Sequence, residues 1–190
     1  MIDITNYQKG ILWGISTINN DNRIVVRHKN RYFIDALGID NSVYEQNGHT
    51  DIQYVLKFRD KNILNELIKN GYAARNSDER CIPHDADIEF IQAWIELHGS
   101  CDWQKTKRGR KVRLRIYGNK LLISQLNQLM SQLLDVSEKT PQKITDKTYM
   151  LSFGSQDEID HICSRFETET IRCDEFWDKL RAMIIEYNNR

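Results

Sequence analysis

Tyr54-Val-Leu-Lys-Phe58 and Tyr149-Met-Leu-Ser-Phe153 share the pattern Tyr-x-Leu-x-Phe at an offset of 95 residues. Large apolar side chains at every second position, between turn-forming residues, read as a half-buried strand. A helical pattern follows each strand at the same offset, with Leu64 and Leu67 recurring as Ile159 and Ile162. A strand and a helix repeated together at constant spacing read as an internal duplication.

Working outward, residues 7–18 carry Tyr7, Ile11, Leu12, Ile15 and Ile18 at helical spacing, and Asn19-Asn-Asp-Asn22 stops the pattern. Arg23–His28 reads as a strand, 31–38 as a short helix, and 43–46 and 52–59 as a hairpin around Asn47-Gly48. A helix over 61–72 closes the first half. The polar stretch around Pro83 is the natural linker. Beyond it the order recurs: helix 87–98, strands 101–106 and 111–117, helix 120–134, strands 143–145 and 148–153, and helix 157–166. A last helix, 175–187, has no counterpart in the first half. Upstream of the duplicated strands the offset falls to about 79, so the first copy is shorter, with one strand of its first hairpin missing. The expected domains are residues 1–80 and 85–190.

Composition narrows the function. The 190 residues hold 27 basic and 27 acidic side chains, so a uniformly basic nucleic-acid coat is excluded and any such contact needs locally concentrated charge. No run of 18 apolar residues is present, which argues against a membrane span. The polar start, Met1 to Lys9, does not resemble a signal peptide, and Cys81, Cys101, Cys163 and Cys173 form no CxxC; free thiols in the cytoplasm are the expectation. Cys81-x-x-His84 lacks the second pair that a structural zinc needs, so no metal is expected there. Neither GxGxxG nor GxxxxGK occurs. Trp13, Trp94, Trp103 and Trp177 read as core or interface aromatics.

The strongest local signal is Lys105-Thr-Lys-Arg-Gly-Arg-Lys-Val-Arg-Leu-Arg115, with seven basic residues in eleven and no acid. Its strand alternates Lys111, Arg113 and Arg115 against Val112, Leu114 and Ile116. A basic two-stranded ribbon fits the major groove of duplex DNA, where arginines meet phosphates and base edges. Lys105, Lys107, Arg108, Arg110, Lys111, Arg113 and Arg115 are therefore DNA-binding candidates. Weaker ones are Arg23, Arg27, Lys29 and Arg31 in the first copy, Lys57 and Arg59 on its second hairpin, and Lys143 and Lys147 on the matching hairpin.

Each copy opens with a helix that carries a small residue, Gly14 in one and Ala93 in the other, which lets two helix backbones approach closely. The twofold helix–hairpin–helix–hairpin–helix order, these small residues and Gly99 at the end of the second such helix resemble the LAGLIDADG homing endonucleases over about residues 7–167. The resemblance implies an α+β fold of two pseudo-symmetric αββαββα-type repeats, the first truncated, with two antiparallel sheets bridged by the paired motif helices. It also implies a saddle on duplex DNA. Each family motif ends in an acid followed by glycine, and those acids hold the divalent metals that cut both strands. Carried over by position, they fall at Asn19 and His98, and neither is a carboxylate. Mg²⁺ prefers charged oxygen ligands. The nearby acids are Asp21, Glu96 and Asp102.

Three functions follow from these residues. The first is binding of duplex DNA without cleavage, as a regulator or site-recognition protein that needs no cofactor. The second is an endonuclease that uses the displaced acids with Mg²⁺. The third is a protein-interaction module, with the helix 175–187 recruiting a partner or a second copy.

Overall fold

The computed structural model describes residues 4–48, 51–74, 77–107, 109–166, 169 and 171–189. They form two compact units, residues 1–93 and 94–190. Unit 1 runs α1 (Asn6–Ile15), β1 (Ser16–Ile18), β2 (Ile24–His28), α2 (Tyr32–Asp35), β3 (Val43–Asn47), β4 (Ile52–Phe58) and α3 (Lys61–Lys69). The helix α4 (Ile88–His98) begins in unit 1 and ends in unit 2. Unit 2 continues with β5 (Gly99–Thr106), β6 (Gly109–Gly118), α5 (Lys120–Leu134), β7 (Gln142–Lys143), β8 (Tyr149–Phe153), α6 (Gln156–Phe166) and α7 (Asp174–Asn188). No helix among the described residues is long and apolar enough to cross a membrane.

Each unit holds a four-stranded antiparallel sheet, in the orders β1-β2-β4-β3 and β5-β6-β8-β7. The two orders are the same pattern, which is the duplication expressed as topology. The repeated Tyr-x-Leu-x-Phe strands are β4 and β8, and Leu56, Phe58, Leu151 and Phe153 are buried. Ile63, Leu64 and Leu67 of α3 and Ile159, Ile162 and Phe166 of α6 are buried in their respective units.

The first hairpin differs from the sequence expectation. The apolar spacing of 7–18 carries a helical period through Ile18, but α1 stops at Ile15 and the next three residues form β1. Three local causes act together. Ser16 turns extended at ψ 161° and its hydroxyl donates to the Leu12 carbonyl, and the Tyr72 hydroxyl donates to the Ser16 carbonyl at 2.8 Å. β-branched Ile15, Thr17 and Ile18 suit a strand better than a helix end. Asn19–Asn22 is then a hairpin turn, with Asn22 at φ 57° and its N–H donating to the Asn19 carbonyl. The first copy is therefore shorter than the second without lacking a strand.

α1 starts on a capping box, in which Thr5 Oγ1 accepts from the Gln8 N–H and Gln8 Oε1 accepts from the Thr5 N–H. Asp60 caps α3 and Asn119 caps α5 in the same manner with one side chain each. Within unit 1, α1 lies against the first half of α4. A Cβ placed on Gly10 would stand 2.6 Å from the Cβ of Ala93 and 3.3 Å from the Phe90 carbonyl oxygen. Gly14, the residue expected at this approach, is buried four residues further along α1.

Candidate nucleic-acid interface

The β5–β6 ribbon spans eight and ten residues, and its register sorts the side chains onto two faces. Asp102 pairs with Arg113, Gln104 with Lys111, Ser100 with Arg115, and Arg115 with Ser152 of β8. These residues share one face with Tyr117. Cys101, Val112, Leu114, Ile116, Leu151 and Phe153 take the other and are buried. Lys111, Arg113 and Arg115 thus form a row on the outer face, as their alternation predicts.

Arg110 is a correction to that reading. It pairs with Lys105 and sits two residues before buried Val112, so both belong to the inner side of the ribbon. The Arg110 guanidinium lies 4.5 Å from the centroid of the Trp103 ring, and its Nη2 donates to Glu186 of α7 at 2.6 Å. Lys107 is exposed at the ribbon tip, and Arg108 lies outside the described residues.

The one-signed charge of 105–115 is tempered in space. Arg113 donates through Nε and Nη2 to the two oxygens of Asp102, at 3.1 and 2.7 Å, and Arg115 Nη2 stands 3.2 Å from the same carboxylate. The Arg113 hydrogen bond holds the Asp102 carboxyl below the usual carboxylate range, against a smaller opposing effect of burial. Both acids that meet the ribbon arginines come from outside the basic run.

In unit 1, Val25 pairs with Lys57 and Arg27 with Val55, so Arg27 and Lys57 share the outer face, with the Lys57 ammonium 5.1 Å from the Tyr44 ring centroid. Lys29 is exposed just past β2. Arg23 and Arg59 both pair with Asp21, at 3.4 and 2.7 Å. Arg31 pairs with Asp35 and lies 6.0 Å from the Tyr54 ring, on the inner face. In unit 2, Lys143 pairs with Asp146, and Lys147 is exposed in the β7–β8 turn.

The displaced acids all have other partners. Asp21 lies in the turn beyond β1, with its pKa lowered mainly by the Arg59 hydrogen bond. Asp102 holds Arg113 and Arg115. Glu96 is buried, and its Oε1 accepts from the Trp177 indole N–H at 2.5 Å. Trp13, Trp94 and Trp177 are buried, and Trp103 lies half-buried under Arg110.

The helix ends reposition the motif. α1 ends at Ile15 before Ser16, and α4 ends at His98 before Gly99. Gly10 and Ala93 each stand five residues before their helix end, which makes them equivalent. Asn19 is four residues past the end of α1, in the hairpin turn, so the residue matching His98 is Ile15. The His98 ring lies against Trp94 with centroids 4.3 Å apart and the planes tilted by 41°. At Gly99 a Cβ would lie 2.3 Å from the Ile95 carbonyl oxygen, so the chain leaves the helix where only glycine fits. The sequence signal that locates this register is Gly10. It is obscured by Lys9, a charged residue in an apolar run, which is buried between Glu66 and Asp85.

Ile15 offers no donor atom, and the imidazole of His98 is a poorer ligand than a carboxylate for a hard divalent cation, so neither helix end by itself fits Mg²⁺. Among the described residues no group of three or more His, Cys, Asp or Glu is placed to hold a metal ion. Cys81 and His84 both border Gly71 with no further ligand in such a group.

No protein-family model and no curated protein matches the chain. Solved structures do. The LAGLIDADG homing endonuclease I-GzeII in complex with its DNA target is similar at TM-score 0.63 and 11% identity, over 98% of this chain and 93% of that one. I-LtrWI bound to target DNA gives TM-score 0.63 and 11% identity over 97% and 91%. I-SmaMI bound to cleaved DNA gives TM-score 0.60 and 10% identity over 98% and 91%. The chain has the LAGLIDADG homing endonuclease fold.

Proposed function

We propose that this chain binds duplex DNA on the outer faces of its sheets and leaves it uncut, as a regulator or site-recognition protein. The observation that carries the reading is the pair of helix ends. By the resemblance to the LAGLIDADG endonucleases, the metal-binding carboxylates would fall at these helix ends, where this chain has Ile15 and His98, while Lys111, Arg113, Arg115, Arg27 and Lys57 lie on the outer faces. The similar endonucleases hold DNA, which supports the binding half of the proposal. The chemistry of cleavage is what the helix ends do not supply, and Asp21, Glu96 and Asp102 are engaged with arginine or tryptophan.

Binding then rests on the two ribbons. At about 3.3 Å per residue, β6 runs roughly 30 Å, close to nine base-pair steps. β1 and β2 have three and five residues, a shorter ribbon. The proposed footprint is accordingly lopsided, with its longer arm on unit 2. Lys111, Lys107, Arg27 and Lys57 neutralise phosphates, while the Asp102-bound arginines face the groove. Cys81, Cys101, Cys163 and Cys173 are in no disulfide among the described residues, which suits a reducing compartment such as the cytoplasm.

An anisotropy titration of mixed-sequence duplex at two salt concentrations tests the reading. Four phosphate contacts weaken binding by about 10²-fold between 50 and 200 mM salt. Absence of binding at the lower concentration overturns it.

A further inference from the structure

We propose that Asp102 and Arg113 act as one unit that reads a guanine in the major groove, with Asp102 as the positioning residue; this rests on the DNA-binding reading above. The two residues are a cross-strand pair at the middle of the β5–β6 ribbon, on its outer face. They are joined by two parallel hydrogen bonds, and their side chains are 35% and 24% exposed.

A guanidinium has five N–H groups in a planar fork. Asp102 takes the Nε–H and one of the Nη2 hydrogens, leaving the Nη1–Nη2 end of the fork. That end presents two parallel donors, the pattern that meets O6 and N7 of guanine. The carboxylate fixes the plane and direction of a side chain that otherwise samples many rotamers.

Charge favours the same conclusion. A surface built only for phosphate is weakened by a carboxylate between two arginines, since Asp102 repels phosphate and halves the local positive charge. Directional recognition explains why an acid stands there, because specificity gains from an element that penalises indiscriminate binding. Arg115 shares the carboxylate and lies 5.8 Å from the Tyr117 ring, and Lys111 lies two residues along the same face. Lys111 is the phosphate anchor of the unit.

The test is selection from a randomised duplex library with the full chain and with Asp102→Ala, Asp102→Asn and Arg113→Lys, alongside affinity for a non-specific duplex. The wild type is expected to enrich a guanine at one position. Asp102→Ala should weaken that preference five- to hundredfold, as expected for loss of one bidentate base contact, with non-specific affinity raised. Arg113→Lys should lose the preference as well, and Asp102→Asn should retain part of it through its remaining oxygen. Thermal melts of each variant separate misfolding from lost readout, and the isosteric Asn variant carries the test if the Ala variant unfolds. Unchanged base preference in a folded Asp102 variant overturns the inference and leaves DNA binding standing, as does a wild type that binds without preference. A wild type that retains no duplex overturns the DNA-binding reading itself.

Discussion

Gly10 and Ala93 meet so closely that a single added carbon on Gly10 would fall 2.6 Å from the Ala93 Cβ. The neighbour is a short, rigid side chain, so nothing can swing aside. Replacing Gly10 by Ala gains about 0.5–1 kcal/mol of helix preference but costs about 1–3 kcal/mol through overpacking. Gly10→Ala is expected to lower the melting temperature and Gly10→Val to lower it further. Adding Ala93→Gly to Gly10→Ala restores the space, so the double variant should melt above Gly10→Ala alone, which a double-mutant cycle in thermal denaturation checks.

The placement of Arg110 separates two residues that are adjacent in sequence. Lys111 faces outward and Arg110 is held on the inner side by Trp103 and Glu186. Lys111→Ala is expected to weaken DNA binding and reduce the salt slope by about one. Arg110→Ala should leave both nearly unchanged. Parallel anisotropy titrations at several salt concentrations measure the difference.

Much of this was legible in the sequence, and the exceptions have identifiable causes. Strong periodicity marked the helices and strands of both copies, and the Tyr-x-Leu-x-Phe pair exposed the duplication. The boundary between α1 and β1 was hidden because Ile15 and Ile18 satisfy helical spacing, while Ser16 ends the helix through a hydrogen bond to Leu12. A helix carried through Ile18 puts the motif's small residue at Gly14 and its acid position at Asn19, whereas counting back from the helix end at Ile15 puts them at Gly10 and Ile15. The acids that meet the ribbon were invisible because Asp102 arrives by strand register and Glu186 by the packing of α7. No local pattern encodes either.

Trp177 and Glu96 define a buried polar contact in unit 2. Trp177 is 1% exposed, so Trp177→Ala is expected to cost about 3–5 kcal/mol. Glu96→Gln keeps an acceptor for the indole N–H and should cost little, whereas Glu96→Ala strands that donor at about 1–3 kcal/mol. Urea unfolding curves distinguish the three. The small effect of Glu96→Gln also tests whether Glu96 serves packing, since a metal ligand would not tolerate the exchange.

The Asp102 carboxyl, with its pKa depressed by Arg113, sets a pH dependence. A group with a folded pKa below its unfolded value of about 3.9 stabilises the fold above that value and loses the contribution as pH falls through the folded pKa. The urea midpoint of the wild type should therefore exceed that of Asp102→Asn near neutrality. The gap should close as the solution is acidified below about pH 4. A gap that widens in acid would contradict the assigned ion pair.

The central claim, holding without cutting, is tested most directly by recovering DNA from the protein-bound band of a native gel run with Mg²⁺ and resolving it under denaturing conditions. The DNA is expected to be retained with both strands at full length, because Ile15 and His98 provide no carboxylate at the helix ends. Strand scission that needs the metal and disappears in Asp21→Asn or Asp102→Asn would contradict the account, as would the absence of any bound band at low salt.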